Sequence, residues 1–208
     1  MRPALLVIDL QRWFLEVGSP EKLARVGALI ANTNALIDFF RDRDLPVVRI
    51  QTVHKAGGST WNQWMKEHNT PRLIEGTQEA EEHPDVHGSD TDVVIRKTRH
   101  STFIRTELED VLLARAIDTV VLAGFSTNAC VGLTTIEAYE RDFKILLAED
   151  AILGTNQKEG SLMLDYLRNR FAIEPVPNAR IMETVSGHMG TNLAMNTDGN
   201  SGGLHSRR

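Results

Sequence analysis

Val120-Val121-Leu122-Ala123-Gly124-Phe125-Ser126-Thr127-Asn128-Ala129-Cys130-Val131 changes character twice along its length. An apolar, β-branched run breaks at Gly124 into small and polar residues, and an apolar helical pattern restarts at Cys130. That order predicts a buried strand, a tight turn and a helix, with the chain's one cysteine at the helix start. Gly124 suits a turn needing close backbone approach or positive φ. A thiol at a helix start meets unpaired backbone N–H groups and the positive end of the helix dipole, and both favour thiolate.

The same strand-then-helix alternation extends in both directions. Ala4-Leu5-Leu6-Val7-Ile8 is continuously apolar, as expected of a strand covered on both faces, and it ends in Asp9. Ser19-Pro20 gives a start signal for a long amphipathic helix to about Arg43. Pro46 to Ile50 predicts a second strand ending near Thr52, and Asp92 to Lys97 a third. Thr106-Glu107-Leu108-Glu109 reads as a capping box for a helix through about Ala116. Phe143 to Ala148 predicts a fifth strand, closed by Glu149-Asp150. Asn156 with Glu159 opens a helix to about Phe171, and Arg180 to Glu183 suggests a last short strand. Residues 53–91 show no single period and predict a functional loop or lid, with a short helix around Trp61–Glu67.

This pattern predicts an α/β fold of the three-layer α/β/α, Rossmann-like kind, a mostly parallel sheet with helices on both faces. One domain is expected over 1–189, followed by a disordered Gly-, Asn- and Ser-rich tail over 190–208. Ligands of such sheets sit beyond the carboxyl ends of the strands. Asp9, Lys97 and the Cys130 turn all fall there, on three separate strands, so groups far apart in sequence can converge.

Composition narrows the function classes. A net charge of −5 over 208 residues carries neither a nucleic-acid footprint nor a polybasic membrane anchor. A lone cysteine makes no internal disulfide, and no apolar run approaches a bilayer span, so a cytoplasmic protein acting on a small molecule is expected. The Gly-x-Gly-x-x-Gly dinucleotide fingerprint is absent, and no cofactor is expected.

Three stretches together resemble the isochorismatase-like cysteine hydrolases, which include nicotinamidases, N-carbamoylsarcosine amidases and ureidoacrylate- or biuret-type amidohydrolases. They are Leu6-Val7-Ile8-Asp9-Leu10-Gln11, Lys97-Thr98-Arg99-His100-Ser101-Thr102-Phe103 and Gly124 through Val131. The resemblance covers roughly residues 4–185 and implies an Asp9-Lys97-Cys130 triad. In those roles Cys130 is the nucleophile, Asp9 its proton acceptor and later donor, and Lys97 the cation beside both. It also implies a non-proline cis bond at Phe125–Ser126, with the Ser126 and Cys130 N–H groups facing an oxyanion.

Family members that hydrolyse the vinyl ether of isochorismate by acid catalysis lack the thiol, so Cys130 favours attack on an amide or ureide carbonyl. An ether hydrolase using Asp9 is the alternative within enzymes. A non-catalytic interaction protein on the same fold is the alternative outside them. Nicotinamidases hold a metal through an Asp-x-His pair and a further His; the matching stretch here, Gln51-Thr52-Val53-His54, lacks the Asp. His54, His68, His83 and His87 are therefore read as surface or lid residues, and no metal is expected. Phe14 and Phe125 are expected in the substrate pocket, with Trp61 or Trp64 beside them and Gln11 and His100 as polar contacts. The resemblance implies a homo-oligomer, a dimer or tetramer.

Overall fold

The computed structural model describes residues 1–197, with side chains through residue 188. Its strands are β1 (Pro3–Ile8), β2 (Val47–Thr52), β3 (Val93–Lys97), β4 (Thr119–Phe125), β5 (Lys144–Leu153) and β6 (Pro175–Val176). The helices are α1 (Arg12–Glu16), α2 (Pro20–Arg41), α3 (Gln63–His68), α4 (Leu108–Ala114), α5 (Gly132–Tyr139), α6 (Gln157–Phe171) and α7 (Asn178–Thr197). The six strands pair in parallel in the order β3-β2-β1-β4-β5-β6.

Two apolar layers hold the helices to this sheet. Ala4, Leu6 and Ile8 of β1 face one layer, which includes Leu108 and Leu112 of α4, Ala138 of α5 and Leu167 of α6. Leu5 and Val7 face the other, with Leu29, Ile37 and Phe40 of α2 and Ile181 and Val185 of α7. Both faces of β1 are therefore dry, which is why its sequence is apolar without alternation. The three-layer α/β/α architecture is the one the sequence predicts. Among the described residues no helix is long and apolar enough to cross a membrane.

The start of α2 follows its signals: the Ser19 side chain accepts from the Lys22 N–H, and Pro20 takes the first turn. Asn156 likewise caps α6, accepting from the Glu159 N–H at 2.9 Å. Four boundaries differ from expectation. The capping box does not close: Thr106 Oγ1 accepts from the Leu108 N–H and donates to the Thr102 carbonyl, so α4 starts at Leu108. β5 runs past Glu149-Asp150, because its pairing jumps from Leu122–Leu147 to Gly124–Ile152 and a bulge turns both acids outward. Arg180 to Glu183 is helical, since Ile181 and Val185 lie four residues apart and are buried on one face.

The fourth difference concerns the tail. Helix α7 continues to Thr197 through part of the stretch expected to be disordered, where Met189, Leu193, Ala194 and Met195 are strong helix formers. The rest of that expectation, 198–208, lies outside the described residues.

β1 stands at the point where the strand order reverses, between β2 and β4. A crevice opens there beyond the carboxyl ends of the strands. Gly124 lets the strands approach: its φ is +120°, and a Cβ would sit 2.1 Å from the Ile8 carbonyl oxygen. The connection between β2 and β3 folds over this crevice. His54 bridges to Ile74, Gln11 bridges to Glu82, and the Asn62 side chain caps α3 by accepting from the Met65 N–H at 2.8 Å.

Candidate active site

Four strand ends deliver the central groups. Asp9 follows β1, in the left-handed backbone region (φ 53°) that Asp tolerates better than most residues. Thr52 ends β2, Lys97 ends β3, and Phe125 ends β4. The Phe125–Ser126 bond is cis, and a π-helical turn over Thr127–Val131 then carries Cys130 into α5. Helical winding thus begins three residues earlier than the sequence suggests, closed by the Val131 N–H on the Ser126 carbonyl at 3.0 Å.

Asp9, Lys97 and Cys130 meet. Asp9 is fully buried and Lys97 nearly so, and their Oδ2 and Nζ atoms are 2.7 Å apart. Lys97 Nζ also lies 3.4 Å from Cys130 Sγ and donates to Thr52 Oγ1 at 2.7 Å and to the Arg99 carbonyl at 3.1 Å. The Thr52 hydroxyl in turn donates a hydrogen bond to Asp9 Oδ1 at 2.9 Å. The ammonium therefore holds the carboxylate twice, directly and through Thr52, which sequence reasoning missed. Its place as the last residue of β2 was the signal.

The electrostatics correct one expectation. Burial pushes the Cys130 thiol up from 9.0 to about 12, reinforced by the Asp9 carboxylate, while Lys97 pulls the other way. The resting sulfur is a neutral thiol, because desolvation of a nearly enclosed atom outweighs the helix start and one cation. Burial also works against the Lys97 charge, but Asp9 and then Cys130 hold its pKa above the ordinary lysine value. Alkylation of the free protein tests this. Labelling needs thiolate, and Lys97 keeps its charge throughout, so the iodoacetamide rate is expected to climb still at about pH 10. A plateau near the ordinary thiol range would contradict it.

A cavity of about 610 Å³ opens beside the sulfur, within the usual range for ligand pockets. Phe14, Trp64, His100, Phe125, Ser126 and Cys130 line it. The Phe14 and Phe125 rings meet at a tilt with centroids 5.6 Å apart, and His100 Nδ1 is 3.6 Å from Sγ. Burial, then the nearby Lys97, lowers the His100 pKa, so the ring facing the sulfur is neutral.

Two expected contacts lie elsewhere. Gln11 is buried, donating to the Thr52 and Ala80 carbonyls and accepting from the Thr52 N–H, so its amide ties β2 to the overlying connection. Trp61 lies off the cavity wall, its indole N–H donating to the Lys55 carbonyl at 2.9 Å. His54 is buried rather than at the surface, yet it lines the cavity, with Nδ1 3.1 Å from the Thr60 carbonyl. No group of three or more His, Cys, Asp or Glu placed to hold a metal occurs among the described residues.

A neutral thiol beside a buried carboxylate can lose its proton to that carboxylate as the sulfur attacks an electrophile in the cavity. The isochorismatase domain family model matches residues 3–174. Maleamate amidohydrolase of Pseudomonas putida is 30% identical over 155 residues, 73% of this chain and 72% of that protein. Nicotinamidase 3 of Arabidopsis thaliana is 28% identical over 166 residues, 77% and 78% of the two chains. Among solved structures, an isochorismatase family protein from Desulfovibrio vulgaris matches with a TM-score of 0.79 at 23% identity, over 89% of this chain and 98% of that one, a likeness of fold.

Proposed function

The chain belongs to the isochorismatase family, and from that premise we propose that it hydrolyses a C–N bond of a small carboxamide or ureide through a thioester on Cys130. One observation carries the reading: a cavity-facing sulfur stands 3.4 Å from Lys97 Nζ, itself 2.7 Å from Asp9 Oδ2. Asp9 takes the thiol proton as the sulfur attacks the carbonyl carbon. The tetrahedral oxyanion faces the N–H groups of Ser126 and Cys130; one such donor is worth about 2.7–4 kcal/mol of barrier. As the C–N bond breaks, Asp9 returns the proton to the leaving amine, and water then resolves the thioester.

A raised thiol pKa fits this order. The sulfur stays protonated until a carbonyl is in place, so proton transfer to Asp9 and attack belong to one step. The names of two relatives, an amidohydrolase and a nicotinamidase, support amide chemistry.

An ammonia-release screen across small carboxamides and ureides tests the reading, run with wild type, Asp9→Asn and Cys130→Ala. Release is expected from the wild type and lost in both variants. Turnover of isochorismate that survives Cys130→Ala would instead assign an ether hydrolase working through Asp9. A protein that turns over neither class would be an interaction module on this fold.

A further inference from the structure

The cavity carries a charge pattern that amide hydrolysis alone does not require. Lys22, Arg72 and Arg99 line it, and among the described residues no Asp or Glu does, in a chain of net charge −5. None of the three forms an ion pair with a carboxylate among the described residues. Lys22 is 7% exposed; its ammonium donates to the Phe14 and Val17 carbonyls and stands 4.9 Å over the Phe125 ring. Arg99 donates to the Thr60 and Thr98 carbonyls. Arg72 donates to the carbonyl of its neighbour Pro71, and its guanidinium lies over Trp13, 4.8 Å from the ring centre.

Two half-buried arginines away from the cavity are matched differently. Arg41 meets Asp92, and Arg49 meets both Glu82 and Asp92. Positive charge taken from water without a counter-ion is unfavourable. Burial alone already lowers the Lys22 pKa. Three cations around one cavity, none paired with a carboxylate among the described residues, therefore make its wall suited to an anion. A guanidinium held against an indole keeps most of its N–H fork open for a planar, bidentate anion. The remaining wall includes Trp13, Phe14, Trp64 and Leu73 and suits an apolar or aromatic body.

We propose that the substrate is an anionic carboxamide, in which an apolar or aryl body joins the scissile amide to a carboxylate bound by Arg72 and Lys22. The inference rests on the reading of Cys130 as nucleophile at this same cavity. Arg72 is the better handle for a test. Among the described residues its side chain bonds only to the adjacent residue, whereas Lys22 also clasps the end of α1.

Matched pairs decide the matter: 4-carbamoylbenzoate against benzamide, and succinamate against propanamide. In ammonia release, at least one carboxylate member is expected to exceed its neutral counterpart in kcat/KM by about tenfold to a hundredfold, the value of a charge-assisted hydrogen bond. Added salt is expected to shrink that ratio, and Arg72→Gln to reduce it by about tenfold with Arg72→Lys partly restoring it. A loss of folding would lower both members alike and leave the ratio in place.

Calorimetry of terephthalate and succinate with Cys130→Ala gives a readout independent of catalysis. Salt-sensitive binding that Arg72→Gln weakens, in a protein that cleaves no amide, would uphold the anion site while removing the hydrolase reading. Cleavage with no carboxylate member preferred, or with a preference indifferent to Arg72→Gln, would overturn the anion site while leaving the hydrolase in place. Neither cleavage preference nor carboxylate binding would also overturn it.

Discussion

Lys97→Met is expected to unfold at lower temperature and to release no ammonia, although it keeps most of the side chain's volume. The carboxylate of Asp9 is fully buried, and its only cationic partner among the described residues is Lys97, 2.7 Å away. Removing one member of such a pair typically costs about 3–5 kcal/mol, because the remaining charge stays buried and unmatched. For a domain of this size that is a fall of roughly 6–20 °C in Tm. The double variant Asp9→Asn/Lys97→Met is expected to regain most of the stability, since neither charge remains, and none of the activity. Scanning calorimetry on the wild type and the two variants measures this. A single variant as stable as the wild type would show that Asp9 and Lys97 do not depend on one another as their contact implies.

The second large effect is conformational. Gly124→Ala is expected to be lost from the soluble fraction, or to fall by more than about 4 kcal/mol in urea titrations, a size reserved for a few severe mechanisms. Two of those mechanisms coincide at this residue. Its φ of +120° is one that L side chains rarely adopt, and a Cβ there would meet the Ile8 carbonyl oxygen at 2.1 Å and its nitrogen at 2.7 Å. Both contacts are backbone of β1, so relief means parting β1 from β4 at the register Ile8–Gly124. These are the strands that present Asp9 and Ser126. An unchanged urea midpoint would show that the two strands stand further apart at the crevice.

The strands of the central sheet were legible because burial on both faces leaves a continuous apolar run, as in β1 and β4. Helix starts were legible where a side chain makes the cap itself, as Ser19 and Asn156 do. The short stretch Arg180–Glu183 was not, because two apolar residues between charged ones fit a strand or one helical face equally well. Only the burial of Ile181 with Val185 distinguishes them.

At the site, the strand-end pattern put Asp9, Lys97 and the Cys130 turn at one edge of the sheet, and the family resemblance singled them out as a triad. Their protonation was not legible. A sequence displays the helix start next to Cys130 but not the depth of its sulfur, and depth outweighs the dipole. Gln11 shows the same limit: a polar residue two places from Asp9 looks like a ligand contact until its amide is found bonded to Thr52 and Ala80. Lys22 and Arg72 carried no motif, because their position depends on how α2 and residues 53–91 close over the crevice.

Intact-protein mass spectrometry after rapid acid quench, with a substrate identified by ammonia release, tests the sulfur's role most directly. The wild type is expected to gain the mass of the substrate less its departing amine, mapped to Cys130, while Cys130→Ala gains nothing and turns over nothing. Full-rate turnover by Cys130→Ala, with no adduct on the wild type, would contradict the account.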